Sequence, residues 1–161
     1  MTEPLELEGY SDSNYATDPD SRRSITGYIV MINRAVVGFK SVQQKTIALS
    51  SCEAELMAMV SCAQEMIFVK HILDSIGFNI KTPMKLYCDN RGAVYLANSW
   101  TIGGRTKHID IRQYYLRDLK ELKLLMYLWI KGSVQRADGF TKNVDGSTFT
   151  IHLPYYITDE E

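Results

Sequence analysis

The first third of the chain alternates apolar and polar residues with the period of two that is typical of β-strands. Residues 5–10 predict a first strand, and residues 24–32 and 36–42, rich in β-branched and aromatic side chains, predict two more. Asn33-Arg34 separates the last two segments as a hairpin turn does. The pattern therefore predicts a three-strand meander over residues 5–42.

A long helix is predicted to begin at Ser50, where the period of the apolar positions changes. Ser50 and Glu53 are three residues apart and form the pattern of a capping box, in which each side chain satisfies a backbone N–H of the other residue. Apolar residues then follow at helical spacing until Gly77, which is a typical helix terminator.

The second half of the chain predicts strands and helices in alternation. Strands are predicted over residues 84–88 and 124–130, and helices over residues 90–98, over 107–122 and from 136 onward. The longest of these helices carries an apolar stripe of Ile111, Tyr115, Leu119 and Leu122. The element order βββ-α-β-α-α-β-α predicts an α/β fold with a hairpin region and parallel crossovers.

Length and composition are those of one soluble domain. The 161 residues are 45% apolar and 23% charged, which predicts a single domain over residues 1–161. The apolar runs are short and the acidic N-terminus lacks the order of a signal peptide, so we expect no membrane association. Three cysteines without C-x-x-C spacing favour a reduced, cytoplasmic protein.

Three acidic residues stand where apolar segments end. Asp12 follows the first predicted strand, Asp89 ends the fourth, and Asp138 lies where the last helix is expected to begin. Strand ends that meet at a crevice are the usual ligand site of an open α/β sheet, and carboxylates side by side there repel each other unless a divalent cation binds them. Taken singly, each of these acids is more often a turn cap.

The fourth acid of such a site would come from the long helix, where Glu53 and Glu55 are the candidates. Two residues correspond to about 200° of helix rotation, so the two side chains cannot face one site. Glu53 already has a local task in the capping box, which favours Glu55 modestly.

Five motifs, in order along the chain, resemble the ribonuclease H domain of copia-type retrotransposons. They are Gly-Tyr-Ser-Asp-Ser at residues 9–13 with 18–24, Ser-Ser-Cys-Glu-Ala-Glu at 50–55, Leu-Tyr-Cys-Asp-Asn at 86–90, the segment 105–111, and Ala-Asp at 137–138 with Thr-Lys at 141–142. Residues 55–58 also resemble the glutamate motif of cellular ribonucleases H, which favours Glu55 over Glu53.

This resemblance covers roughly residues 5–143, which implies a domain core there and a C-terminal extension over residues 144–161. It implies a ribonuclease H-like fold, in which an antiparallel three-strand meander and parallel strands form a five-stranded mixed sheet flanked by helices. It implies hydrolysis of the RNA strand of RNA–DNA hybrids, with Asp12, Glu55 and Asp89 bridging two Mg²⁺ ions and Asp138 holding the second ion. Mn²⁺ is the expected substitute. The implied partners are the hybrid and a reverse transcriptase domain of the same polyprotein, and the implied location is the cytoplasm, inside a virus-like particle.

Residues near these motifs are candidate contacts to the hybrid. Arg105 and Lys107 belong to a short basic cluster that is expected to meet phosphates, although any solvated loop has the same composition. Ser51 and Asn90 lie next to predicted catalytic acids, where small polar groups can contact 2′-hydroxyls. The net charge of −1 excludes binding by bulk charge alone but allows a local basic groove.

Two departures from the family pattern leave a second function open. Residues 131–135 contain no histidine, whereas cellular ribonucleases H carry one between the fifth strand and the final helix. Gly139 directly follows Asp138, and glycine weakens the first turn of a helix. The alternative is a catalytically decayed module that binds hybrids or tethers the polyprotein.

Overall fold

The computed structural model describes residues 3–99 and 107–157, and of residues 107–110 the backbone only. Its strands are β1 Leu7–Asn14, β2 Ile25–Ile32, β3 Ala35–Gln43, β4 Met84–Cys88 and β5 Leu125–Trp129. Its helices are α1 Ser51–Ser75, α2 Arg91–Asn98, α3 Lys107–Glu121 and α4 Gly146–Tyr156, with 3₁₀ turns at Gly132–Val134 and Asp138–Phe140.

The five strands form one mixed sheet in the order β3-β2-β1-β4-β5. β1, β2 and β3 pair antiparallel as a meander, whereas β4 is parallel to β1 on one side and to β5 on the other. The predicted five-stranded mixed sheet with flanking helices is therefore confirmed. β1 lies at the junction of the two halves, so its carboxyl end is next to the carboxyl end of β4.

Two turn positions explain why the chain reverses where the sequence predicts. Asn33 and Arg34 have φ of 47° and 74° between β2 and β3, the left-handed pair that a tight hairpin requires. Gly77 has φ of 88° after α1, a conformation that glycine adopts without steric cost.

The start of α1 confirms half of the predicted capping box. The Ser50 hydroxyl accepts from the N–H of Glu53 at 3.1 Å, as expected. The Glu53 carboxylate, however, accepts from the N–H of Leu49 at 2.7 Å, one residue before the position that the motif predicts.

Other elements pack against both faces of the sheet, whereas β3 at its edge stays largely exposed. On one face α1, α2 and α3 enclose the main core, which includes Leu7, Leu56, Met59, Leu86 and Leu116. α1 lies very close to β1, because a Cβ at Gly9 would stand 2.5 Å from the Met66 sulfur. On the other face a smaller cluster of Tyr10, Ile29, Met31 and Ala137 packs against the aromatic residues of the C-terminal segment.

By length and composition alone, α1 is long and apolar enough to cross a membrane. It packs along β1 and β2 and buries Ala54, Leu56, Met59 and Met66 between itself and its neighbours. The central helix of a globular fold has the same length and composition.

The first strand is longer than predicted. β1 continues through residues 11–14, so Asp12 lies inside the strand and not after it. These residues are polar and resemble a loop, but they pair with β2, where Asp12 is opposite Gly27. Pairing with a neighbouring strand, and not local preference, extends this end of β1.

The predicted apolar stripe of α3 is confirmed at Tyr115 and Leu119, which pack in the main core, and is wrong at Ile111 and Leu122. Ile111 and Leu122 are 69% and 61% exposed, whereas Leu116 and Leu119 are buried. The buried face also contains Gln113, whose amide donates to a backbone carbonyl of α2 at 2.9 Å. A polar residue satisfied by a tertiary hydrogen bond can therefore lie on the buried face, which periodicity alone does not reveal.

The last predicted helix is divided into two elements. Asp138 begins a single 3₁₀ turn, as its predicted position at a helix start suggests, but the α-helix begins only at Gly146. Asp145 caps that helix by accepting from the N–H of Thr148 at 2.7 Å. Tyr156, near the end of α4, donates its hydroxyl to the carbonyl of Arg136 at 2.6 Å and so fixes the helix against the segment that carries Asp138.

Candidate metal centre

Four carboxylates from four segments meet at the edge of the sheet where β1 and β4 end. Because these strands are parallel and adjacent, Asp12 in β1 and Asp89 directly after β4 lie at the same edge. Glu55 comes from the second turn of α1, and Asp138 opens the 3₁₀ turn. The structure thus brings together the four acids that the sequence predicts.

The carboxylates form two overlapping groups. Oxygens of Asp12, Asp89 and Asp138 lie within 4.8 Å of one another, and the same distance encloses ligand atoms of Glu55, Cys88 and Asp89. Asp89 belongs to both groups. Hard carboxylate oxygens at this spacing suit Mg²⁺ or Mn²⁺, and a shared carboxylate suits a pair of ions.

Burial and mutual repulsion disfavour the negatively charged forms of these carboxylates. Asp12 and Glu55 are 2% and 5% exposed. Burial raises the pKa of Asp12 to about 6, and burial together with the charge of Asp12 raises the pKa of Glu55 to about 8. Burial and the charge of Asp138 also raise the pKa of Asp89. A divalent cation would supply the missing positive charge, so the residues present fit such an ion.

Neighbouring hydroxyl groups orient two of the carboxylates. Ser13 donates to Glu55 Oε1 from its backbone N–H at 3.1 Å and from its hydroxyl at 2.8 Å. Thr141 donates its hydroxyl to Asp12 Oδ2. Both donors favour the ionised carboxylate, as ligand positions require.

The cationic side chain of Lys142 enters the cluster. Lys142 Nζ lies 3.0 Å from Asp138 Oδ1 and 3.7 Å from Asp12 Oδ2. Its side chain is 42% exposed, whereas those of the two aspartates are largely buried. The lysine therefore reaches the carboxylates from the solvent side.

Glu53 and Glu55 point to different surroundings, as the helix geometry predicts. Glu55 faces Asp12 and Asp89, whereas Glu53 lies 3.7 Å from Arg112 of α3 and bonds the backbone before the helix. Cys88, predicted to belong to the core, is buried there, and its thiol also lies 3.6 Å from Glu55 Oε2.

Sequence relatives of the chain are retrotransposon polyproteins, although no family model matches it. The chain is 35% identical to the retrovirus-related Pol polyprotein from transposon TNT 1-94 of Nicotiana tabacum, over 90% of its own length and 11% of the relative. It is 32% identical to the corresponding polyprotein from transposon RE1 of Arabidopsis thaliana, over 90% of the chain and 10% of the relative. The chain thus spans about a tenth of the length of the curated relatives it matches.

Similar solved structures have the ribonuclease H fold. LC11-RNase H1, isolated from compost, aligns with 84% of this chain and 92% of its own at a TM-score of 0.64 and 11% identity. Its complex with an RNA/DNA hybrid gives a TM-score of 0.63, also at 11% identity, over 84% of this chain and 94% of that chain. The prototype foamy virus protease–reverse transcriptase aligns at 0.50 and 15% identity, over 95% of this chain and 20% of that protein.

The chain is similar in sequence to part of a retrotransposon Pol polyprotein and similar in fold to ribonucleases H.

Two of the four predicted substrate contacts, Ser51 and Asn90, have side chains among the described residues. Ser51 is the exposed first residue of α1, and Asn90 caps α2 by accepting from the N–H of Ala93 at 3.0 Å. Arg105 lies outside the described residues, and Lys107 opens α3 with its side chain outside them. The contacts of all four residues to a hybrid stay predictions.

Further residues, which the sequence did not predict to be site residues, support the carboxylates. Ser13, Thr141 and Lys142 contact the carboxylates, and Trp129 donates its indole N–H to the carbonyl of Asp89 at 2.9 Å. Ser13, Thr141 and Lys142 lie within the motifs that resemble the retrotransposon family, and this position was the signal that could have identified them. No spacing rule predicts which carboxylate each of them contacts.

The segment after β5 lies directly beside the carboxylates of this domain. A Cβ at Gly132 would stand 3.4 Å from Asp89 Oδ2. The histidine that cellular ribonucleases H carry in this segment is absent from residues 131–135 here. The short segment therefore passes the site without contributing an imidazole.

Proposed function

We propose that this chain is a metal-dependent endonuclease that hydrolyses the RNA strand of RNA–DNA hybrids. The observation that carries the proposal is the convergence of Asp12, Glu55, Asp89 and Asp138 at one edge of a ribonuclease H fold. The raised pKa values of Asp12 and Glu55 support it, because they indicate a site that requires positive charge.

In this proposal the carboxylates hold two divalent cations, Mg²⁺ or Mn²⁺, with Asp138 at the second. Such ions supply Lewis-acid stabilisation of the phosphate and an activated water. Ser13 orients Glu55 and favours its ionised form, and Thr141 does the same for Asp12. Trp129 fixes the backbone of Asp89. The products would carry a 3′-hydroxyl and a 5′-phosphate.

Selectivity for RNA would come from groups beside the carboxylates. Ser51 presents an exposed hydroxyl at the start of α1, and the Asn90 amide lies at the start of α2 next to Asp89. Because the Asn90 oxygen already caps α2, its amide nitrogen is the group that would meet a 2′-hydroxyl or a phosphate. Arg105 and Lys107 would add phosphate contacts.

The proposed partners are an RNA–DNA hybrid and a reverse transcriptase domain of the same polyprotein. The sequence relatives, which are Pol polyproteins, support the second partner. We place the activity in the cytoplasm, inside a virus-like particle. All three cysteines are free, which agrees with a reducing compartment.

The test is cleavage of an RNA strand, labelled at its 5′ end and annealed to DNA, in Mg²⁺, in Mn²⁺ and in EDTA. We expect cleavage in both metals and none in EDTA, and no cleavage of the same RNA alone or in an RNA duplex. Absence of hybrid cleavage in both metals, with hybrid binding retained, would instead support the decayed module.

Asp89→Asn is the decisive variant, because Asp89 belongs to both groups of ligands. We expect it to abolish cleavage and to hold or raise the metal-free melting temperature, since it removes one of several repelling charges. Asp118→Asn, at an exposed position of α3, is the matched control and should cleave normally. Near-normal cleavage by Asp89→Asn would refute the assignment.

A further inference from the structure

We propose that Lys142 is a built-in counterion of the carboxylate cluster, which holds Asp12 and Asp138 together while the metal is absent and moves away when a divalent cation binds them. This inference rests on the proposed function. It assigns to Lys142 the role of a positioning residue that competes with the metal.

The distances place the lysine ammonium between the two carboxylates. Nζ is 3.0 Å from Asp138 Oδ1 and 3.7 Å from Asp12 Oδ2, so one positive charge serves two negative ones. A metal ion bound to both residues from this side would meet the ammonium. Both cations would need the same oxygens, Asp138 Oδ1 and Asp12 Oδ2, so the ammonium has to leave before a metal ion binds them from this side.

The two aspartates are buried and fixed in place, whereas the lysine side chain is exposed enough to move. The Asp12 and Asp138 side chains are 3% and 12% exposed, whereas that of Lys142 is 42% exposed. The lysine stem can therefore swing into solvent while the carboxylates stay in place. Thr141, the preceding residue, keeps its own hydrogen bond to Asp12 and so holds the backbone near the cluster when the lysine leaves.

Another ion pair of the same chain provides the contrast. Lys70 and Asp74 are also four residues apart and lie 2.6 Å from each other, on α1. No second carboxylate contacts Lys70 among the ion pairs of residues 3–99 and 111–157. Removing that lysine should change neither metal binding nor the cluster.

The proposal predicts opposite effects of one substitution. Lys142→Met removes the charge that balances the metal-free cluster, so the metal-free melting temperature should fall. The same substitution removes a competitor, so Mn²⁺ affinity should rise at least threefold. A lysine with a purely structural role would lower stability without raising metal affinity, and a lysine that contacts only phosphate would alter hybrid binding alone.

The first experiment is titration of Mn²⁺ into the full chain, followed by calorimetry, for wild type, Lys142→Met, Lys142→Arg and Lys70→Met. We expect a lower dissociation constant only for Lys142→Met, because arginine retains the competing charge. An unchanged or higher constant for Lys142→Met would overturn the proposal. If the wild type cleaves hybrids and binds Mn²⁺, and Lys142→Met binds Mn²⁺ equally well, this inference alone is refuted. If the wild type binds no Mn²⁺, the proposed function is refuted as well.

A second measurement needs no variant. Lysine acetylation by a water-soluble reagent, quantified by mass spectrometry with and without Mg²⁺, reports how free each amine is. We expect modification of Lys142 to rise at least twofold with Mg²⁺, since the displaced ammonium enters solvent, and that of Lys70 to stay constant. Unchanged or reduced labelling of Lys142 would contradict displacement.

Discussion

Glu53 and Glu55 are two positions apart on α1, and their carboxylates have different partners. Glu53 bonds the N–H of Leu49 and faces Arg112, whereas Glu55 bonds Ser13 and faces the aspartates. The rotation of the helix separates a residue that stabilises the helix start from one placed at the site.

Exchanging each glutamate for glutamine should separate these two roles. We expect Glu55→Gln to abolish hybrid cleavage, because it removes a ligand charge. Glu53→Gln should cleave normally and cost about 0.5–1 kcal/mol of stability through a weakened cap. Hybrid cleavage and urea unfolding measure the two effects, and the reverse pattern would show that the register of α1 is misassigned.

At the scale of elements, the contact between β2 and the 3₁₀ turn sets the position of Asp138. A Cβ at Gly27 would stand 2.5 Å from Thr141 Cγ2 and 3.1 Å from the carbonyl carbon of Phe140. Gly27 is also the strand partner of Asp12. Because Gly27 has no side chain, the 3₁₀ turn can pack directly against β2, and this contact places Asp138 near Asp12.

Gly27→Ala should push the turn away from the sheet, since a backbone atom cannot yield as a flexible side chain does. We expect a loss of about 1–3 kcal/mol of stability, with weaker Mn²⁺ binding. Gly146→Ala is the control, because nothing lies within 4 Å of its added Cβ. Wild-type metal affinity in Gly27→Ala would show that the turn can move without disturbing Asp138.

Gly139 affects the same turn from within. Its φ is not in the left-handed region, and an added Cβ would lie 3.4 Å from the Tyr156 hydroxyl, so alanine can be accommodated there. We expect wild type to cleave faster in Mn²⁺ than in Mg²⁺, which demands stricter geometry, and Gly139→Ala to narrow the difference by stiffening the turn. Equal or faster wild-type cleavage in Mg²⁺ would show that Asp138 is already held rigidly.

The elements differ in how far the sequence predicts them. The β2–β3 hairpin and α1 follow from local signals, namely Asn33-Arg34 and the Ser50 cap. The end of β1 does not, because its polar residues are strand only through pairing with β2. The ends of apolar segments singled out Asp12, Asp89 and Asp138, and the resemblance decided Glu55 over Glu53. Lys142 was not given a role, because its position depends on a turn that brings Asp138 and Asp12 to it.

At the scale of the whole molecule, the clustered carboxylates should make metal-free stability depend on pH. The pKa of Glu55 is raised to about 8 and that of Asp12 to about 6, above their values of 4.5 and 3.8 without the fold. The folded state therefore holds protons that the unfolded state releases. Proton binding by Glu55 and Asp12 therefore stabilises the folded state in acid, and this stabilisation is lost as the pH rises through the two raised pKa values.

Comparison with Glu55→Gln isolates this effect, because glutamine does not ionise. In EDTA we expect equal melting temperatures near pH 4.5 and a higher one for the variant above about pH 8. Millimolar Mg²⁺ should reverse the order, since it binds the folded wild type. Glu121→Gln, at an exposed position, is the control. A difference that does not grow with pH would contradict a raised pKa for Glu55.

The hydrogen bond from Thr141 to Asp12 joins residues 129 positions apart, so the site is completed by one of the last segments of the core to be synthesised. Contacts between distant segments form late, because closing a long loop costs chain entropy before the contact contributes anything. We therefore expect the sheet to fold first and the carboxylate cluster to close in a later step. A nascent chain on the ribosome would stay inactive until residue 141 had left the exit tunnel, which ties the onset of activity to the progress of translation.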